Sequence, residues 1–190
     1  MPHALKSHAV QQLHSLWAQQ TLNQFTASGS FGDSPSIFLQ VASKAEGRYE
    51  RRRNRIRVHT TVTMTRDEVV GITAHELGHW ARCEIHGRYY RRMWMEIVAF
   101  ACTAQLLFNA PNPFRIASPA VLLAGFYIAL RWSRRAEGDA DRTAAAVVGP
   151  TPILVMLNRT NWINRHVTLT HPRTTDRTHA LTYTAETSRH

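Results

Sequence analysis

The stretch that most constrains this chain runs from Thr65 to Ala81. Thr65-Arg66-Asp67-Glu68 is a capping box, in which a threonine hydroxyl and a glutamate side chain satisfy N–H groups left open at a helix start. Val69, Val70, Ile72, Ala74, Leu77, Trp80 and Ala81 then recur at helical spacing, which predicts a helix over 66–86 with one buried face. Inside it lies H-E-L-G-H, residues 75–79. Positions i and i+4 of a helix share a face, so His75 and His79 can bind the same ion. Neutral imidazoles suit zinc, and a catalytic zinc site takes three protein ligands and keeps one position open. Glu76 stands to one side of the pair, placed to take a proton from water and return it to a leaving amine. The chain has 11 histidines in 190 residues, so an H-E-x-x-H can arise by accident, as two surface histidines on a helix. An accident has no reason to fall on a capped helix with a buried face.

A third ligand must come from elsewhere, and the candidates are Glu137, Asp139, Asp141, His166, His171 and His179. Glu137 and Asp141 are four apart in "EGDADRTAAAVV", residues 137–148, which reads as a short alanine-rich helix. On one face, one carboxylate can bind zinc while the other fixes a histidine tautomer. The small side chains let this helix come close to another. Pro150 and Pro152 bound a further helix carrying Ile153, Leu154, Met156 and Leu157.

Between the two motifs lie apolar stretches at 93–110 and 117–132, separated by the breaker 111–116. Their lengths are marginal for crossing a bilayer, and the first contains Glu96 and Gln105. Arg88, Arg91 and Arg92 precede the pair, Arg131, Arg134 and Arg135 follow it, and the turn holds only Arg115. That is the charge pattern of a membrane hairpin with both open ends on the cytoplasmic side. The alternative is a helical hairpin buried in a soluble cytoplasmic protein.

Upstream, Leu5, Ala9, Leu13, Leu16, Trp17, Leu22 and Phe25 predict an amphipathic helix over 4–25. "SIFLQVAS" and "NRIRVHTTV" read as two strands of a small sheet joined through "KAEGRYERRR". A formal charge of +10 asks for an anionic neighbour, and the densest cluster is "RYERRRNRIRV", residues 48–58. A solvated hairpin or attraction to an anionic membrane accounts for it. Nucleic acid is disfavoured, because only Tyr49 offers a stacking ring and no recognition signature accompanies it. The two cysteines, Cys83 and Cys102, lack metal-ligand spacing and read as reduced thiols. No secretory signal is visible at the start of the sequence.

Taken together, "HELGH" (75–79), the apolar hairpin, "EGDAD" (137–141) and "HPRTTDR" (171–177) resemble the zinc metalloproteases related to HtpX and the CAAX prenyl endopeptidases. The resemblance covers roughly residues 55–182. It implies a gluzincin with one zinc per chain, held by His75, His79 and Glu137, and Glu76 as catalytic base. It also implies that Asp141 supports the ligands, that His171 donates to the developing oxyanion, and that Arg177 pairs with a carboxylate such as Asp141. Integral-membrane relatives carry further hydrophobic spans before the H-E-x-x-H, and residues 1–60 contain none.

The expectation is therefore a mainly helical α+β, zincin-like metalloendopeptidase, a single domain over 1–190. It has a small sheet, an inserted apolar hairpin at 93–132 and a flexible tail at 183–190. A sheet edge near Arg55–Thr63 would hold an extended peptide or protein substrate by strand addition. The hairpin would attach the enzyme to the cytoplasmic membrane with its catalytic region in the cytoplasm. Two readings of other classes stand beside it, a nucleic-acid-associated basic protein and a membrane adaptor with a purely structural zinc.

Overall fold

The computed structural model describes residues 2–29, 31–109, 114–163 and 174–187. The elements run α1 (Pro2–Ser28), β1 (Ser36–Val41), β2 (Glu46–Glu50), β3 (Arg55–Thr60), α2 (Arg66–Ala81), α3 (Cys83–Asn109), α4 (Phe114–Val148), α5 (Pro150–Ile163) and α6 (Thr174–Thr187). The chain is mainly helical with one small sheet, the α+β composition expected. It divides into two compact units. One takes α1, the sheet, α2, α4 from Gly138 onward, α5 and α6, and the other takes Glu84–Glu137.

In the first unit the strand order is β1-β3-β2, with β1 parallel and β2 antiparallel to β3. The third strand is a correction. Sequence pattern assigns residues 46–50 to a connection, because Gly47 and the charges of Glu46, Arg48 and Glu50 hide the alternation. The charged residues share the outward face with Arg55, Arg57 and His59 of β3, while Ile56, Val58 and Thr60 turn inward and are buried. A single 3-10 turn, Arg51–Arg53, leads to Asn54 in the left-handed region (φ 42°), which asparagine tolerates better than most side chains. A second correction concerns the edge. Residues 55–60 form the central strand, paired on both sides, so the edges of the sheet are β1 and β2.

α1 is longer than the predicted 4–25 and presents a different stripe. Ala18, Thr21, Leu22, Phe25 and His14 are buried, whereas Leu13 and Leu16 are exposed. Two polar residues belong to the buried face because each finds a hydrogen-bond partner. Thr21 donates to the Trp17 carbonyl (2.8 Å), and His14 Nδ1 lies 2.9 Å from the Thr60 hydroxyl of β3. Phe25, Leu39, Val58, Val69, Leu77, Ile153 and Leu157 share one core with this helix. Each large apolar side chain so buried contributes roughly 1.5–3 kcal/mol.

α2 ends at Ala81 rather than 86, with Arg82 as the break before α3. α4 is one continuous helix through Val148, so the alanine-rich segment is its last third rather than a separate helix. Gly149, at φ 84°, then ends it in the conformation that glycine adopts without a steric penalty. α6 reaches Thr187, so helix occupies the first part of the segment 183–190.

In the second unit, α3 and the early part of α4 pack in opposite directions. A Cβ on Gly125 would meet the Phe100 ring within 2.6 Å, and Arg131 donates to Glu96 (2.7 Å). Arg92, Arg131 and Arg135 stack over Trp132 at 4.9–5.3 Å. Trp94, Met95, Val98, Leu106, Leu123 and Tyr127 are exposed. Among the described residues no helix is long and apolar enough to cross a membrane.

The buried His14 gives the first unit a defined acid sensitivity. Burial pushes its imidazole below the ordinary value of 6.5, outweighing a backbone hydrogen bond at Met64 that favours the charged form. A ring that is harder to protonate when folded contributes stability that is present above the unfolded value and is lost as pH falls below it. Thermal midpoints measured from pH 7.5 to 5 should therefore fall more steeply for the native chain than for His14→Gln. One group supplies at most about 1.4 kcal/mol per pH unit. Parallel curves for the two proteins would remove His14 from the acid response.

Candidate active site

The capping box forms in both directions. Glu68 Oε2 accepts from the Thr65 backbone (2.7 Å), and the Thr65 hydroxyl accepts from the Glu68 backbone (3.4 Å). Glu68 also receives Arg159 of α5 (2.6 Å), which fixes α5 to the start of α2. Burial alone would raise the Glu68 carboxyl, but the Arg159 and Thr65 hydrogen bonds prevail and hold it below the usual carboxylate range.

Two close approaches then lock α2 in place. A Cβ on Gly71 would stand 2.2 Å from the Pro152 carbonyl oxygen, and one on Gly78 would stand 2.3 Å from that of Ala140. Only a residue without a side chain lets these backbones meet, so the glycine inside H-E-L-G-H is itself a packing requirement. The small residues of α4 serve the same approach from the other side. Ala136, Ala140 and Ala144 are fully buried.

His75 and Glu76 are buried, His79 is half-buried, and the two imidazoles stand edge to face with centroids 4.8 Å apart. His75, His79 and Glu137 each offer a ligand atom, and these atoms all lie within 4.8 Å of one another. The boundary between the compact units falls between Glu137 and Gly138, inside α4, so the helix that carries Asp141 also carries Glu137.

Asp141 is buried and accepts from His75 Nδ1 at 2.8 Å. Arg177 of α6 donates to both of its oxygens, Nε at 2.6 Å and Nη2 at 2.7 Å. Burial by itself would raise the Asp141 carboxyl. The hydrogen bonds from His75 and Arg177 overcome that and hold it below the ordinary range, as an anion. With Nδ1 spent on Asp141, the His75 ring has Nε2 left as its lone-pair nitrogen for a ligand bond. Two imidazoles and a carboxylate, one imidazole oriented by a second carboxylate, form a donor set whose chemistry fits zinc.

The other sequence candidates separate cleanly. Asp139 lies two residues from Glu137 and pairs instead with Arg142 on the same helix. His179 is exposed on α6. His166, His171 and Pro172 lie outside the described residues. Sequence reasoning missed Gly47. A Cβ there would fall 2.7 Å from Glu76 Oε1 and 2.9 Å from Ile72 Cγ2, so β2 runs directly against the glutamate. A glycine between charged residues is the only sequence signal of this, and by itself it reads as a turn.

Two histidines of an H-E-x-x-H helix and a glutamate from α4, with an aspartate and an arginine behind one histidine, define a metallohydrolase type of site. The sequence profile of peptidase family M48 matches residues 45–185, most of the chain, and the chain belongs to that family. This is the family of HtpX and the CAAX prenyl protease, which bears out the resemblance carried by the three motifs. The activity it supports is that of a metalloprotease. Comparison with curated proteins and with solved structures finds no match.

The close approach at Gly78 generates a direct test. Gly78→Ala should push α4 away from α2, lowering affinity for a divalent metal probe about 10–100-fold and stability by about 1–3 kcal/mol. Competition with a chelating dye and thermal melts measure both. Unchanged affinity and midpoint would show that the glycine does not set the helix spacing.

Proposed function

We propose that this protein is a zinc metalloendopeptidase in which His75, His79 and Glu137 hold the metal and Glu76 is the general base. The observation that carries the reading is the cluster of His75, His79 and Glu137 ligand atoms within 4.8 Å. When bound, zinc supplies Lewis acidity toward the scissile carbonyl and lowers the pKa of water. Glu76, adjacent in sequence to one ligand and buried, takes the proton of the attacking water and returns it to the departing amine. Asp141 holds the His75 tautomer, and Arg177 keeps Asp141 anionic and in place. His171 retains its proposed role as an oxyanion donor, on the strength of the H-P-x-x-x-x-R match to His171, Pro172 and Arg177.

An extended peptide is the substrate form that suits this site. β2 is an edge strand whose backbone lies against Glu76, so a peptide added to it would pass the general base. Zinc analysis combined with a casein assay tests the whole reading. The native chain should hold one zinc and cleave, and Glu76→Gln should hold zinc with cleavage reduced about 10²–10⁴-fold. Glu137→Ala should lose the metal while Asp139→Ala keeps it. Undiminished cleavage by Glu76→Gln, or metal loss in Asp139→Ala alone, would overturn the assignment.

We further propose that residues 93–132 attach the enzyme to the cytoplasmic membrane, with its catalytic region on the cytoplasmic side. Support comes from the exposed Trp94, Met95, Val98, Leu106 and Leu123, and from arginines gathered at the base of the two helices. The marginal apolar length favours helices seated in the interface over ones that span it. Flotation with vesicles containing anionic lipid should carry the native chain upward, and Met95→Glu with Leu123→Glu should abolish it. Flotation that survives both changes would place the attachment elsewhere.

A further inference from the structure

Resting on the reading of β2 as the substrate-binding edge, we propose that Arg48 makes this edge a subsite for an acidic substrate side chain. Side chains along β2 alternate between two faces. Gly47 turns toward α2 and Glu76, and Glu46, Arg48 and Glu50 turn outward. A strand added to β2 continues both faces, so every second residue of a bound peptide stands beside the outward row. A residue directly opposite Arg48 would have its Cβ about 4.5–5.5 Å away, within reach of the guanidinium.

The charges of that row are unbalanced in an informative way. Arg48 lies directly opposite Arg57 of β3, and like charges in that position are destabilising. Arg57 is compensated by Glu50 (3.1 Å), which also holds Arg55 (2.6 Å) and faces Arg53 (3.9 Å). Arg48 has no such partner. Among the described residues no carboxylate lies within 4.0 Å of it, and its side chain is exposed at the open edge. Local stability would favour a neutral or acidic side chain here. A carboxylate brought in on the adjacent peptide strand supplies the missing counter-charge, and the exposed turn Arg51–Arg53 adds to the field that draws it.

Glu46 sets the register. It occupies the same face two residues before Arg48, opposite His59. A peptide residue facing Glu46 therefore meets a negative charge, two positions from the one that meets Arg48. The geometry points to a substrate with an acidic residue at one outward position and no acidic residue two positions away, rather than to a generally acidic substrate.

The test uses the full-length, zinc-loaded chain and a family of quenched fluorescent peptides that differ only in placing Glu, Ala or Lys at each position in turn. Binding of the same peptides is measured by anisotropy on Glu76→Gln. One position should prefer Glu over Lys by about 3–10-fold in kcat/KM and in affinity, as an exposed ion pair allows. The preference should shrink at high salt. Arg48→Lys should keep it and Arg48→Glu should reverse it. Arg66→Glu, the same charge change at the exposed start of α2, should leave the Glu/Lys ratio within about twofold. Cleavage with no acidic preference, or a preference unchanged in Arg48→Glu, overturns the proposal. So does a variant that loses only binding to anionic vesicles, which would make the cationic face a lipid surface. Selective binding without cleavage of any peptide would instead sink the hydrolytic reading and leave the subsite standing.

Discussion

The contact on which the site depends is backbone against backbone, where α2 meets the last third of α4 at Gly78 and Ala140. No side chain separates the two helices there, and that distance fixes how far a carboxylate on α4 stands from a histidine on α2. Asp141, one residue after Ala140, then reaches His75 at ordinary hydrogen-bond length without stretching a long side chain. Glu137, one turn earlier on the same face, falls beside both histidines. A leucine or a valine at position 78 would separate the helices by several ångströms and scatter the donor set. The motif therefore carries a packing instruction in its fourth residue as well as ligands in its first and fifth.

Behind the ligands, the His75–Asp141–Arg177 chain is a buried polar network with an ionic centre. Removing one charge from such a pair costs far more than the pair contributes as a whole, because the survivor is left desolvated. The bidentate grip of Arg177 makes α6, the last element described, part of the site's support. A group placed 36 residues beyond Asp141 thus governs the shape of the ligand set without touching a substrate.

The parts legible in the sequence were those written in short-range code. The capping box, the i,i+4 histidines and the i,i+4 carboxylates each follow from helix geometry, and each lies where that geometry puts it. The approach of small residues in 137–148 to another helix was legible for the same reason. What escaped was set by partners distant in the chain. β2 hides because its outward residues are all charged and its inward ones include a glycine. The buried stripe of α1 is shifted because His14 and Thr21 are inside, satisfied by a β3 hydroxyl and a local carbonyl that no periodicity announces. α4 runs on through Glu137 because Gly138, the one poor helix former between Arg131 and Ala140, costs only about 1 kcal/mol there, although the change from apolar to acidic composition looks like a boundary.

The sheet has two outer strands but treats them differently. On β1, Gln11 of α1 donates to the Leu39 carbonyl, so a side chain takes up part of that side. Among the described residues β2 remains open, and an open strand edge is ordinarily an invitation to a second copy of the same protein. Two molecules joining antiparallel through β2, centred on position 48, would set Arg48 against Arg48 and Glu46 against Glu50. Every outward-facing pair within the strand repels in that register. A slip of two residues would instead set Glu46 against Arg48, so the charges of β2 select the register of any strand that joins it rather than closing the edge.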